Sequence, residues 1–221
     1  MPMASQSTEN LRELAECVGR DWKHASEYYR LAEEDMDRRW DALIWPFIKN
    51  CDFSVCVDLA AGHGRNTRKL LEQPVCKNVY VVDVNQENID FCAKRFSDEP
   101  RAKCMRNDGF TIGGVEPGSV TMFYSFDAMV HFDSDVVRSY IGEVRRLLES
   151  ARGRAFLHHS NYGGNPGGDV HDNPHWRNFM TADLMKHYAR KEGMVVENQA
   201  KLDWNHDQSY IDCFSLLRCA S

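Results

Sequence analysis

Between Val55 and Asn66 an apolar run of strand length breaks into a glycine turn and then into a helix-like pattern. Gly62 and Gly64, one residue apart, let the backbone turn tightly and approach a ligand without interference from a Cβ, while the helix that follows begins with exposed amide N–H groups. A plain strand-to-helix turn makes the same demand without any ligand, so the residues further along decide between the two. A dinucleotide fingerprint requires a third glycine where Thr67 stands. A second apolar run, Val79-Tyr80-Val81-Val82, ends at Asp83, about 20 residues past the glycines, where doubly wound nucleotide folds place an acid on ribose hydroxyls.

With Asp58 closing the first strand, Asp83 the second and Asn107-Asp108-Gly109-Phe110 following a third, the pattern resembles the class I S-adenosylmethionine-dependent methyltransferases. The resemblance runs from about Phe53 to the C-terminus, with its parts in the family's order. It implies an α/β fold, a Rossmann-like doubly wound sheet of about seven strands, mostly parallel with a C-terminal antiparallel hairpin. The implied cofactor is S-adenosylmethionine, with Asp83 on the ribose and Asp108 on the adenine amine; the competing reading of Asp108-Gly109 is a simple Asx turn. Tyr28, Asp58, Ala60, Gly62, Gly64, Asn66, Val84, Asn107, Gly109, Ser125 and Phe126 complete the cofactor contacts that the resemblance suggests. A helix before the first strand commonly lies over the cofactor in such enzymes, which singles out Tyr28, Tyr29 and Trp40, with core packing as the alternative.

Residues 1–50 read as an N-terminal helical extension, with Gly19 a plausible break and Pro46 a stop or bend, and 51–221 as the core of the same single domain. The core alternates strands and helices: helices over Thr67–Glu72 and Asn85–Phe96, a strand over Lys103–Arg106, a fourth over Val120–Phe126, a covering helix over Val136–Glu149 and a fifth strand over Arg154–His159. After a glycine-rich loop from Asn161 to about Arg177, Thr181 caps a helix over Ala182–Lys191, and Met194–Ala200 with Asp212–Arg218 form the terminal hairpin.

A length of 221 residues with 43% hydrophobic content suits one domain with a real core. The N-terminus lacks a signal core and no apolar run approaches bilayer length, so a cytoplasmic protein without membrane contact is expected. A net charge of −6 argues against nucleic acid as partner, as does Ser125-Phe126-Asp127-Ala128 where a base-modifying enzyme carries an N-P-P-aromatic motif. The eight cysteines form no C-x-x-C pair and read as buried free thiols.

Methyl transfer needs the acceptor aligned with the methyl and sulfur, and a proton removed when the acceptor is a hydroxyl or an ammonium. His131 after the fourth strand and His159 at the end of the fifth are the candidate bases; His158 points to the other side of the strand. Asp133, His158, Asn161, His175, Trp176 and Arg177 are the candidate acceptor contacts. His171 and His175 are four apart, but Pro174 and the nearby glycines oppose a helix there, and no metal is expected. The expected activity is methylation of a small polar acceptor, a hydroxyl of a sugar or secondary metabolite. N-methylation of an amine, an NAD-dependent oxidoreductase and a non-catalytic cofactor-binding protein are the alternatives.

Overall fold

The computed structural model describes residues 3–22, 26–168 and 177–220. Its centre is a seven-stranded sheet in the order β3-β2-β1-β4-β5-β7-β6. The strands are β1 (Val55–Leu59), β2 (Asn78–Asp83), β3 (Ala102–Arg106), β4 (Met122–Ser125), β5 (Arg154–Ser160), β6 (Met194–Leu202) and β7 (Asp212–Cys219). The first five run parallel, while β7 pairs antiparallel with both β5 and β6. The mostly parallel sheet with its terminal antiparallel hairpin is the arrangement expected.

The apolar side chains alternate cleanly between two cores, as a pleated strand requires. Val57 and Leu59 of β1, Phe123 of β4 and Leu157 of β5 enter one core together with α7 (Ser134–Leu147) and α8 (Ala182–Lys191). Cys56, Met122, Tyr124 and Phe156 enter the other, which holds α5 (Arg65–Leu71), α6 (Gln86–Arg95) and the N-terminal helices from Met36 onward. This alternation puts His158 and His159 on opposite faces of β5.

The N-terminal extension departs from its expected breaks in two places. Gly19 does not end α1 (Met3–Trp22); a Cβ there would fall 2.8 Å from Val84 Cγ1, and the Gly19 carbonyl accepts the Asn85 amide at 2.9 Å, so the glycine serves close approach to the exit of β2. After α2 (Ser26–Glu34) and α3 (Met36–Arg39), Pro46 neither stops nor simply bends the chain. Proline offers no N–H to the preceding turn, and a π-helical turn over Trp40–Ile44, closed by the Trp45 N–H on the Trp40 carbonyl, leads into α4 (Trp45–Ile48).

Elsewhere the differences are at element ends. Val120 lies outside β4, in an isolated bridge with Leu148, and the chain leaves β4 at Ser125 so that Asp127 takes a left-handed φ of +60°. All eight cysteines are free thiols. Among the described residues no helix is long and apolar enough to cross a membrane.

Candidate active site

At the end of β1 the chain turns through Ala60 (φ +56°) and Gly62 (φ +55°), and Gly64 (φ +82°) starts α5. A Cβ on Gly62 would lie 2.6 Å from the Tyr29 ring, and one on Gly64 2.6 Å from Phe96, so both glycines are required by close approach as well as by φ. The buried Asp83 side chain closes the loop: one oxygen accepts the Gly62 N–H at 2.9 Å, and the other the Asn85 N–H at 2.9 Å and the Asn88 amide at 3.2 Å. Burial pushes its carboxyl up, against the pull of those N–H groups. Thr67, standing where a dinucleotide fold carries glycine, donates its hydroxyl to Asp58 at 2.6 Å and ties the first turn of α5 to β1. Burial drives Asp58 up to about 7.

The loop opens into a cavity at the carboxyl ends of β1, β2 and β4, with about 930 Å³ of space counted out to its mouth. Tyr28, Ala60, Gly62, Asn66, Asp83, Val84, Asn107, Gly109, Phe126, His131 and Asp133 line it, so these candidates are brought together. Leu14, Ala15, Val18 and Trp22 of α1 form a further wall.

Other candidates stand apart from the cavity lining. Asp108 turns back to accept the N–H groups of Phe110 (3.1 Å) and Thr111 (2.7 Å) and the Thr111 hydroxyl (2.7 Å). Asp58 and Gly64 support the glycine loop from behind, and the Ser125 hydroxyl joins β4 to the Leu59 carbonyl at 3.2 Å. His159 is buried on the α8 side, its Nδ1 donating to the Ser160 carbonyl at 2.7 Å and its Nε2 accepting from Ser215 at 2.8 Å. Burial lowers its pKa to about 4. His158 lies behind Phe126, Asn161 bridges Tyr210 and Ala182, and Arg177 pairs with Asp212. His175 and Trp176 lie outside the described residues.

The structure also gathers groups that periodicity did not single out. Arg65, buried in the first turn of α5, donates to Asp127 at 2.8 Å and to the Ala32 carbonyl at 3.2 Å, and the Tyr28 hydroxyl donates to Asp127 at 2.7 Å. Burial opposes ionisation of Asp127, but the Arg65 guanidinium and the Tyr28 hydroxyl outweigh it and hold the carboxyl at about 2. Burial pushes Tyr28 well up, so it remains a phenol that donates. Trp22 packs against both Tyr28 (4.8 Å between ring centroids) and His131 (4.9 Å). The only sequence signal for the Arg65–Asp127 pair is one unlike charge after each of two strands; their meeting across 62 positions depends on the parallel pairing of β1 with β4.

Residues 56–151 match the family model described as a methyltransferase domain. No curated protein matches the sequence. Among solved structures, an S-adenosylmethionine-dependent methyltransferase from Clostridium acetobutylicum superposes with a TM-score of 0.65 at 15% identity, covering 89% of this chain and 99% of that one. Geranyl diphosphate C-methyltransferase from Streptomyces coelicolor, with geranyl diphosphate and S-adenosylhomocysteine, gives 0.65 at 14% identity over 87% and 80%. Phosphoethanolamine N-methyltransferase 1 from Haemonchus contortus, with phosphoethanolamine and S-adenosylhomocysteine, gives 0.70 at 14% identity over 93% of this chain and 49% of that one.

The cavity's donor set fits S-adenosylmethionine. Asn107 lines it with a buried Oδ1 that has no partner, while its amide donates to the Thr111 carbonyl and the Tyr140 hydroxyl. An exocyclic amine satisfies such an acceptor, and the buried Arg65–Asp127 pair matches a zwitterionic amino-acid end. Residues 56–151 match a methyltransferase-domain model, and the seven-stranded sheet has the fold of the S-adenosylmethionine-dependent methyltransferase on which the chain superposes.

Proposed function

We propose that the chain methylates a hydroxyl of a small polar molecule, a sugar or secondary metabolite, with His131 as proton acceptor. The observation that carries the reading is the placement of His131 in the cavity wall beyond the exit of β4, packed on Trp22 and beside the Tyr28–Asp127–Arg65 cluster. Imidazole ordinarily titrates in the range that suits proton removal near neutrality. Asp127 is held ionised by its partners and Tyr28 is held protonated, so neither competes for that role. His159 has both ring nitrogens engaged, by the Ser160 carbonyl and the Ser215 hydroxyl.

When bound, the cofactor supplies the transferable methyl on its sulfonium. In this reading Asp83 holds the ribose hydroxyls, Asn107 takes the adenine amine, and Arg65 and Asp127 orient the amino-acid end. Asp108 acts through the turn it caps, keeping Asn107 and Gly109 in the cavity wall. The helical cap of residues 1–50 and the core of 51–221 work as one catalytic unit. A second reading, N-methylation of an amine, is favoured by the rings of Trp22, Tyr28 and His131 gathered near the Asp127 carboxylate, since aromatic faces and carboxylates attract ammonium groups.

A turnover assay with S-adenosylmethionine against sugars, phenols and primary amines tests both. His131→Ala should slow methylation of a hydroxyl acceptor by about 10²-fold or more, with S-adenosylhomocysteine affinity little changed. A normal rate in the variant removes His131 as the proton acceptor, and turnover confined to amines removes the hydroxyl reading.

A further inference from the structure

His158 lies outside the cavity yet joins its most strongly charged part to the start of the neighbouring strand β7. Its Nδ1 accepts the backbone N–H of Asp127 at 3.1 Å. A peptide N–H can only donate, so the neutral ring carries its proton on Nε2. That nitrogen stands 3.4 Å from Asp212 Oδ2, at ion-pair distance but without a formed hydrogen bond. Asp212 is gripped in turn by the fork of Arg177, at 2.5 Å on Oδ1 and 3.0 Å on Oδ2. The imidazole is fully buried among Phe126, Trp204 and Phe214, each with its ring centre 5.0 to 5.1 Å away.

The residue whose N–H it takes is the one that needs holding. Asp127 has φ +60°, a left-handed conformation that aspartate tolerates better than most residues but that is still uncommon for a side chain with a Cβ. In that conformation the Asp127 carboxylate meets both the Tyr28 hydroxyl and Arg65 in the cavity wall. Without an acceptor at Nδ1 the Asp127 N–H loses the partner it has here, and the turn is held only through the bonds of its carboxylate to Tyr28 and Arg65. We infer that His158 is a positioning residue of the cofactor cavity: its Nε2–H tautomer, set by Asp212 and Arg177, fixes the Asp127 peptide and through it the Tyr28–Asp127–Arg65 cluster. This rests on the reading of the cavity as the S-adenosylmethionine site.

The test is calorimetric titration of the folded full-length chain with S-adenosylhomocysteine, which reads binding without turnover. In His158→Asn the amide oxygen can take the place of Nδ1, and the dissociation constant should remain within about threefold of wild type; in His158→Leu, which removes the acceptor, it should rise about tenfold or more. Asp212→Asn covers the case in which the leucine variant does not fold. The Arg177 fork draws the new amide oxygen to itself and turns the amide N–H₂ toward Nε2, favouring the Nδ1–H tautomer that opposes the Asp127 N–H. Its dissociation constant should also rise about tenfold, and the imidazole ¹⁵N spectrum should show the proton moving from Nε2 to Nδ1. Equal weakening in the asparagine and leucine variants would make His158 a packing residue only. Unchanged binding in a folded His158→Leu or in Asp212→Asn would overturn the proposal, whereas a wild-type chain that binds no S-adenosylhomocysteine would instead remove the cavity assignment beneath it.

Discussion

Asp58 and His159 are both fully buried, and burial displaces their titrations in opposite senses. Between its ordinary value of 3.8 and about 7, Asp58 keeps in the folded chain a proton that the unfolded chain has released, so its contribution to stability falls as pH rises through that window. His159 does the reverse: between about 4 and its ordinary 6.5 only the unfolded chain binds the proton, so stability is lost as pH falls. Each swing is on the order of 3 kcal/mol, and over the shared window they largely offset. Asp58→Asn should therefore expose the histidine's slope. Urea unfolding should find the variant gaining on wild type by a few kcal/mol between pH 4 and pH 8; a pH-independent difference would mean that Asp58 is not the buried acid responsible.

Among the elements, α1 carries the least expected geometry. It crosses the cavity at two close approaches, Gly19 against Val84 and Ala15 against Gly109, where a Cβ on Gly109 would sit 2.5 Å from that of Ala15. Alanine at an interior helix position ordinarily gains about 1 kcal/mol over glycine, but at Gly19 the added methyl meets Val84 Cγ1 at 2.8 Å and overpacking outweighs the gain. Gly19→Ala should destabilise the chain by about 1–2 kcal/mol and weaken S-adenosylhomocysteine binding, since α1 must lift from the cavity wall. Gly118→Ala provides the contrast, because Gly118 has φ +68° and open space around it. That variant should lose about 1 kcal/mol to backbone strain with the dissociation constant unchanged. Parallel loss of affinity in both variants would argue that α1 has no special place over the ligand. Next along the chain, α2 is anchored to the same loop: Glu33 accepts from Arg68 of α5 and Arg95 of α6, and Arg95 also donates to the His63 carbonyl at 2.7 Å.

On the scale of the molecule, the cavity lies where the strand order reverses, with β2 and β3 on one side of β1 and β4 and β5 on the other. Crossover connections leave in opposite directions there and open a crevice at the carboxyl ends of the strands, which is why nucleotide ligands settle at that point in open α/β sheets. A ligand held only by the folded state stabilises it by mass action, about 2.7 kcal/mol at a hundredfold excess over its dissociation constant. S-adenosylhomocysteine should accordingly raise the melting temperature in thermal unfolding, and NAD should not, because Thr67 joins to Asp58 where the dinucleotide fold needs glycine. A shift with NAD would reverse that assignment.

The sequence by itself determined the strand-and-helix alternation, the glycine loop, Asp83 at the end of β2 and the terminal hairpin. Each is written locally, in continuous apolar runs of strand length, in the closely spaced glycines and in Thr181, whose side chain caps α8 by accepting the Leu184 N–H at 3.0 Å. Only the tertiary structure decided which polar groups face the cavity. Asp108 and Asn107 are adjacent, yet the first is spent on its own turn and the second stands in the wall with an unpaired oxygen. His158 and His159 are likewise adjacent, and the pleat sends one to Asp127 and the other to Ser215. The pairing of Arg65 with Asp127 has no local signature at all: it arises because β1 and β4 are neighbours, and long-range strand order is set by the packing of the whole sheet rather than by any one stretch of chain.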